Sequence, residues 1–276
     1  MSKKNIPDTL LKPKQRSKLR LYFGKQYYTI SRKLYWLRNY FTFAKAQTKT
    51  PLPHTVFEHK TPLYRELKKV DMWMQENKVS NLNKATHYID GILIKPGEIF
   101  SYWFLIGKPT KRKGYKPGMV LDHGTFTSGI GGGLCQLSNL LFWMFLHSPL
   151  TVTERYRHSY DVFPDVQRKI PFGSGATCVY NYRDLMVKNN TANTFQINLS
   201  VSEKNLHGKI RSLKPESKQY KIYEKEHIIH HHSWGGYSRH NIIYRKTYEN
   251  ETGITDEYMF ENHALMMYQP YIDEKQ

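Results

Sequence analysis

The sequence predicts an α+β fold: a mainly antiparallel sheet packed around a buried central helix at about residues 134–147, with helices on the N-terminal side. Three observations carry this expectation. Residues 140–146, LLFWMFL, are apolar on every face, as in a helix enclosed by other elements. Residues 194–202, TFQINLSVS, alternate: Phe195, Ile197, Leu199 and Val201 share one face, and Gln196, Asn198, Ser200 and Ser202 share the other. That is the pattern of a half-buried antiparallel strand. Finally, the period changes from helical before residue 150 to two after it.

The elements follow in order. Residues 17–43 interleave cations with aromatics, and Leu19, Phe23, Tyr27, Ile30 and Leu34, then Leu37 and Phe41, recur at helical spacing. Residues 44–56 carry Pro51 and Pro53 without periodicity and read as a linker. A helix is expected over about 62–77 from Leu63, Leu67, Val70 and Met74. A second, short one follows from a cap at Ser80 or Asn81, with Leu82, Ala85 and Ile89 as its apolar stripe. Strand character begins at Ile92, turns at 95–98 and resumes. Residues 108–128 read as a long loop with one short strand at 119–122. Strands are expected at 150–162, 176–189 and 194–202, with weaker ones near 219–230 and 241–248 around Gly235-Gly236. The corresponding organisation is a basic aromatic extension (1–50), an α+β domain (51–205) and a β-rich tail packed on that domain (206–276).

Charge narrows the partners. The 276 residues carry a formal +19, and residues 1–50 hold 13 Lys and Arg against the single acid Asp8. Residues 206–276 balance at 10 and 10. A basic amphipathic helix at 17–43 can dock on its own domain, the commoner outcome for such a pattern, or make peripheral contact with an anionic membrane. Nucleic acid is disfavoured, because no RNA-binding motif follows. The start of the chain lacks an apolar signal region, and two cysteines do not make a disulfide framework. A cytoplasmic location, peripheral to the inner face of the membrane, is therefore expected, with free thiols.

Chemistry concentrates at IGGGLCQLS (130–138). A thiol at a helix start, where backbone N–H groups lack partners, tends toward thiolate, and glycines let those N–H groups approach a substrate. The expected catalytic set is Cys135 as nucleophile, His158 as base on a following strand, and Asp184 as the orienting acid. The candidate binding residues are Gly131, Gly132, Gly133, Gln136, Ser138, Glu154 and Arg155. The competing interpretation is a packing joint, with Cys135 as a small core residue. No metal site is expected: His227, His230, His231, His232 and His240 lack carboxylate or Cys partners at usual spacing. No cofactor is expected either, since no P-loop, dinucleotide fingerprint or HExxH appears.

Five segments resemble the VanW family: KPGEIFSYW at 95–103, GGGLCQLSNLLFWMFLHSPL at 131–150, the ER-x-x-H run of Glu154–His158, FPD at 163–165 and DLMVKNNT at 184–191. They stand in the family's order over at least residues 63–205. The resemblance implies an association with vancomycin resistance or cell-envelope functions, and a cell-wall precursor or peptide as ligand. It brings no established catalytic residues. Where the family pattern reads G-x-D-A-T, this chain has GSGAT, with Gly175 in place of the acid.

Overall fold

The computed structural model describes residues 16–64, 71–122, 125–162 and 170–270. Among them lie four α-helices and thirteen strands, nearly all in antiparallel sheets. The centre is helix α4 (Cys135–Leu146), where Leu137, Ser138 and every residue from Leu140 to Leu146 are buried. Three sheets account for its all-round apolar surface. The first has the order β1 (His54–Pro62), β10 (Asn205–Ser212), β9 (Phe195–Val201), β2 (Ile92–Ile94). At Gly208 in β10 a Cβ would stand 2.4 Å from Met144 Sδ, so glycine sets how closely strand and helix pack. The second sheet is β3 (Ile99–Ser101), β8 (Met186–Lys188), β6 (Thr151–Glu154), and its Phe100 ring meets Phe145 at 5.2 Å. The third is β11 (Lys218–His231), β12 (Tyr237–Glu249), β13 (Thr252–Met266), β7 (Tyr160–Asp161), and its Phe260 meets Phe142 at 5.4 Å. Each large α4 side chain removed from water contributes about 2 kcal/mol, so this helix is the main apolar anchor of the fold.

Several expectations change. The stretch expected to form a helix from residue 62 begins as strand: β1 runs to Pro62, where it pairs with Asn205. Leu67 and Val70 lie outside the described residues. The end of that expected helix and the short helix expected after it are one, α2 (Met72–His87), and Ser80 and Asn81 sit within it. Leu82, Ala85 and Ile89 do form the buried stripe. Asn81 is not a cap. It is buried, its amide donates to the carbonyls of Lys116 (3.0 Å) and Gly132 (2.9 Å), and it accepts from Lys116 N–H at 2.8 Å. A buried amide needs such partners, and here tertiary contacts supply them.

The expected linker is tied down. Phe43 and Ala44 are buried, and Gln196 of β9 donates to the carbonyls of Thr48 and Thr50 while accepting from Leu52 N–H. This strap covers the polar face of β9, which is why Gln196 is buried on a face expected to be wet. The basic loop at 108–128 contains a hairpin, β4 (Pro117–Asp122) with β5 (Thr125–Ile130). The strand expected at 150–162 survives only as β6 and β7, and that at 176–189 only as β8. The C-terminal strands are longer than expected, and β13 is a third one.

Helix α1 (Lys18–Arg38) is capped by Ser17, whose hydroxyl accepts from Arg20 N–H at 3.3 Å. It buries no residue. Tyr28, Arg32 and Trp36 turn toward the domain: Tyr28 meets Tyr182, and Trp36 meets Phe104 and Tyr180. The apolar stripe points away from it, with Leu19, Phe23, Tyr27, Ile30, Leu34 and Leu37 all more than half exposed and Phe41 at 90%. No helix among the described residues is long and apolar enough to cross a membrane.

Candidate functional site

The entrance to α4 is a joint between α2, β4 and the helix itself. Gly131 N–H donates to Lys116 O at 3.0 Å, Gly132 N–H to Gly129 O at 3.0 Å, and Gly133 N–H to Met119 O at 2.9 Å. All three glycine donors are therefore engaged inside the fold rather than presented to a ligand. A Cβ on Gly132 would lie 2.1 Å from the carbonyl carbon of Gly118, so two backbones touch there. Gln136 donates to Thr61 Oγ1 and Pro62 O, each at 2.9 Å, and ties the first turn to β1.

Cys135 opens α4 and is half-buried, and burial pushes its thiol above the ordinary range. Cys178 stands in the same neighbourhood, beside the Ser138 hydroxyl. Burial, then the charges of Asp184 and Cys135, push its thiol well up. Ser138 Oγ donates to Ala176 O at 2.8 Å and also meets Cys135 O at 3.1 Å. Tyr102, fully buried on α3 (Tyr102–Ile106), donates its hydroxyl to Leu134 O at 3.0 Å. Cys135, Cys178, Ser138 and Tyr102 thus form one polar knot under the helix mouth.

Asp184 borders this knot. Its carboxylate accepts from Ser101 Oγ (2.5 Å), Trp103 N–H (3.0 Å) and Leu185 N–H (2.9 Å). Burial raises its pKa to about 6 against those donors. Glu154, at the end of β6, accepts Asp184 N–H at 3.0 Å and holds the Arg32 guanidinium through two bonds of 2.6 and 2.8 Å. Arg32 also donates to Asn181 O at 3.2 Å. A bidentate, half-buried pair of this kind positions strongly, and it fastens α1 to the domain.

His158 and Arg155 lie on the stretch of chain that follows β6. Residues 155–159 are irregular, and no hydrogen bond among the described residues joins His158 to Cys135. Burial, then the charges of Arg155 and Arg183, lower its imidazole to about 4. Arg155 runs between the Phe142 and Phe260 rings at 4.9 and 4.4 Å. It donates to Gly175 O (3.0 Å), to Gly173 O and to Asn262 Oδ1 (2.9 Å), clamping the C-terminal sheet to the core. Gly175 is fitted to Asn139: a Cβ there would lie 2.4 Å from Asn139 Oδ1, which accepts from Ala176 N–H. A side chain at 175 displaces that amide. The FPD segment lies outside the described residues.

Sequence reasoning missed Cys178, Tyr102, Ser101 and Arg32 as members of this region. Arg32 alone left a signal, as a cation set opposite the apolar stripe of an otherwise acid-free helix.

The family model described as "VanW like protein" matches residues 77–211, which run from α2 through β10 and include the α4 entrance, Glu154 and Asp184. The "Vancomycin B-type resistance protein VanW" of Enterococcus faecalis (strain ATCC 700802 / V583) is 39% identical over 180 residues, covering 65% of this chain and 66% of that protein. The "Uncharacterized protein YoaR" of Bacillus subtilis (strain 168) is 31% identical over 109 residues, 40% of this chain and 34% of that protein. No solved structure matches. The α4 domain, from α2 to β10, is thus the shared part, and through it the chain belongs to the VanW family.

Proposed function

We propose that this chain is an accessory protein of glycopeptide resistance or of the cell envelope that works against an anionic membrane surface, with α1 lying in the lipid interface. The resistance association rests on the name of the Enterococcus relative, of which this chain spans 66%. The membrane contact rests on one observation. The six apolar residues of the α1 stripe point away from the domain, as does Phe41 just beyond the helix, while Arg32 and Glu154 hold the opposite side. Arg20 and Arg38 flank the stripe on one side and Lys33 on the other, and no acid stands between Asp8 and Glu58. Apolar burial at the headgroup level and attraction to anionic lipid then act together. The inner leaflet is the surface proposed, since its negative potential is worth about 1 kcal/mol per Lys or Arg near it.

Vesicle co-sedimentation of the full chain tests this. Binding to phosphatidylglycerol-containing vesicles is expected, with little binding to pure phosphatidylcholine. The triple variant Arg20→Gln, Lys33→Gln, Arg38→Gln is expected to weaken binding about 100-fold. Equal binding to both lipids sinks the proposal, as does a lipid-independent dimer that forms through the α1 stripe while vesicles are ignored.

A second reading, a thiol-dependent hydrolase or transferase acting on a cell-wall peptide precursor, draws on the gathering of Cys135, Cys178, Ser138 and Asp184 near the helix mouth. Capture of an anionic precursor by the glycine loop draws less support, because its three N–H groups are already donated. Alkylation of Cys135 across pH separates these. Labelling faster than free cysteine at pH 7 favours chemistry. Because burial raises this thiol, the expected result is slow labelling that becomes appreciable only in alkali.

A further inference from the structure

The C-terminal sheet lies almost wholly outside the family-matched residues and carries a cluster that the proposed membrane contact does not use. β12 and β13 pair with His240 directly opposite His263. On both strands the neighbouring residues, Asn241, Asn262 and Ala264, are buried against the core. By strand alternation, His240, His263 and Glu261 therefore share the outer face, with the two histidines half-buried and the carboxylate exposed. His240 Nδ1 stands 2.9 Å from His263 Nδ1 and 3.1 Å from its Nε2, and a Glu261 carboxylate oxygen lies 3.6 Å from that Nε2. One ligand atom from each residue falls within 4.8 Å of the others.

We infer that His240, His263 and Glu261 form a binding site for a divalent transition ion of the zinc class, held on the outer face of the β12–β13 hairpin. Zinc–ligand bonds of about 2.0–2.2 Å place neighbouring tetrahedral ligand atoms roughly 3.3 Å apart, and the observed separations bracket that value. Two imidazoles with one carboxylate match zinc, nickel or copper. Calcium and magnesium prefer sets made wholly of oxygen. Three protein ligands leave a further position for water.

Two imidazole nitrogens in contact need one donor and one acceptor, and both imidazoles cannot be charged at this separation. A dication replaces the shared proton and satisfies both lone pairs. Burial, together with His240 and Arg157, lowers the His263 imidazole from its ordinary pKa. Arg157 is the opposing influence, since its charge is felt by both His263 and Glu261.

The test is a titration of the full chain, stripped with chelator, by zinc using calorimetry and by cobalt using its visible absorption. One equivalent is expected, at roughly micromolar Kd or tighter. His240→Asn and His263→Asn are each expected to weaken zinc at least about 10-fold and to remove the cobalt bands. Glu261→Gln changes an exposed side chain, keeps the fold, and is expected to weaken binding too. Arg157→Gln is expected to tighten it. The double variant His230→Asn, His231→Asn, on exposed residues of β11, is expected to bind as the parent does. Absence of a one-to-one event at pH 7.5 overturns the proposal. So does an event that survives Glu261→Gln and His263→Asn but disappears with His230 and His231. Neither result bears on vesicle binding through α1.

Discussion

Replacement of Gly132 by alanine is expected to leave little folded protein. The added methyl would sit 2.1 Å from the Gly118 carbonyl carbon and 2.2 Å from its oxygen. Both clashing partners are backbone, so no rotamer relieves the contact. Moving the loop to make room pulls Gly132 O away from the Asn81 amide and Gly133 N–H away from Met119 O. Asn81 would then keep a buried, unmatched donor, which adds to the cost. The sum exceeds about 4 kcal/mol, a large share of the stability of an ordinary domain. Soluble yield and the urea midpoint provide the measurement. Gly24→Ala is the matched control: nothing lies within 4 Å of a methyl there, so helix propensity alone makes it neutral or mildly stabilising. A Gly132→Ala protein with the parent's urea midpoint contradicts the joint described here.

The second large effect is acid lability. Burial lowers the imidazoles of His147 and His158 from 6.5 to about 4 in the fold. His147 is stacked on Phe57 at 4.1 Å and bonded to Trp143 O at 2.9 Å, and His158 faces two arginines. Between these limits the unfolded chain holds protons that the fold refuses, so stability present above pH 6.5 is lost as pH falls. Asp184 works in the other direction. Its folded carboxyl keeps a proton up to about pH 6, against 3.8 when unfolded, so acid favours the fold through that group. Two histidines against one aspartate leave the unfolded chain with about one extra proton. Stability should therefore fall by about 1.4 kcal/mol per pH unit between about pH 6 and 4.5. His59 and His263 shift in the same sense as the two histidines. Urea midpoints across this range measure the slope. His158→Gln is expected to flatten it by removing one of the two opposing protons, whatever its effect at pH 7.5. An unchanged slope in that variant argues against a buried neutral His158.

The fold was legible where a single face, or every face, decides burial. α4 was readable because LLFWMFL leaves no side for water, and β9 because its apolar residues alternate. The failures share a cause in contacts between distant segments. Asn81 carries the sequence character of a helix cap, yet its amide is spent on Lys116 and Gly132. Gln196 has the character of a wet face, yet a strap from 48 to 52 lies over it. Residues 150–162 alternate in sequence, but the chain leaves the sheet after Glu154, so Arg155 turns inward between two phenylalanines. The candidate site shows the same limit. Cys135 and Asp184 are found in one region, while Cys178 enters from a segment with no local mark of chemistry and Arg32 from the distant N-terminal helix. The pairing of His240 with His263 depends on hairpin register, which residue spacing alone does not express.

The position of Phe260 has a practical consequence. Family-matched residues end at 211, and a protein trimmed to that boundary looks complete in sequence. It would lack one of the three walls around α4. Phe142 would lose Phe260 and face solvent on that side, and Arg155 would lose both Asn262 and one of its two aromatic plates. The shared segment is therefore not a portable unit in this chain. Any relative that ends near that boundary needs another surface, its own or a neighbour's, to close the same helix.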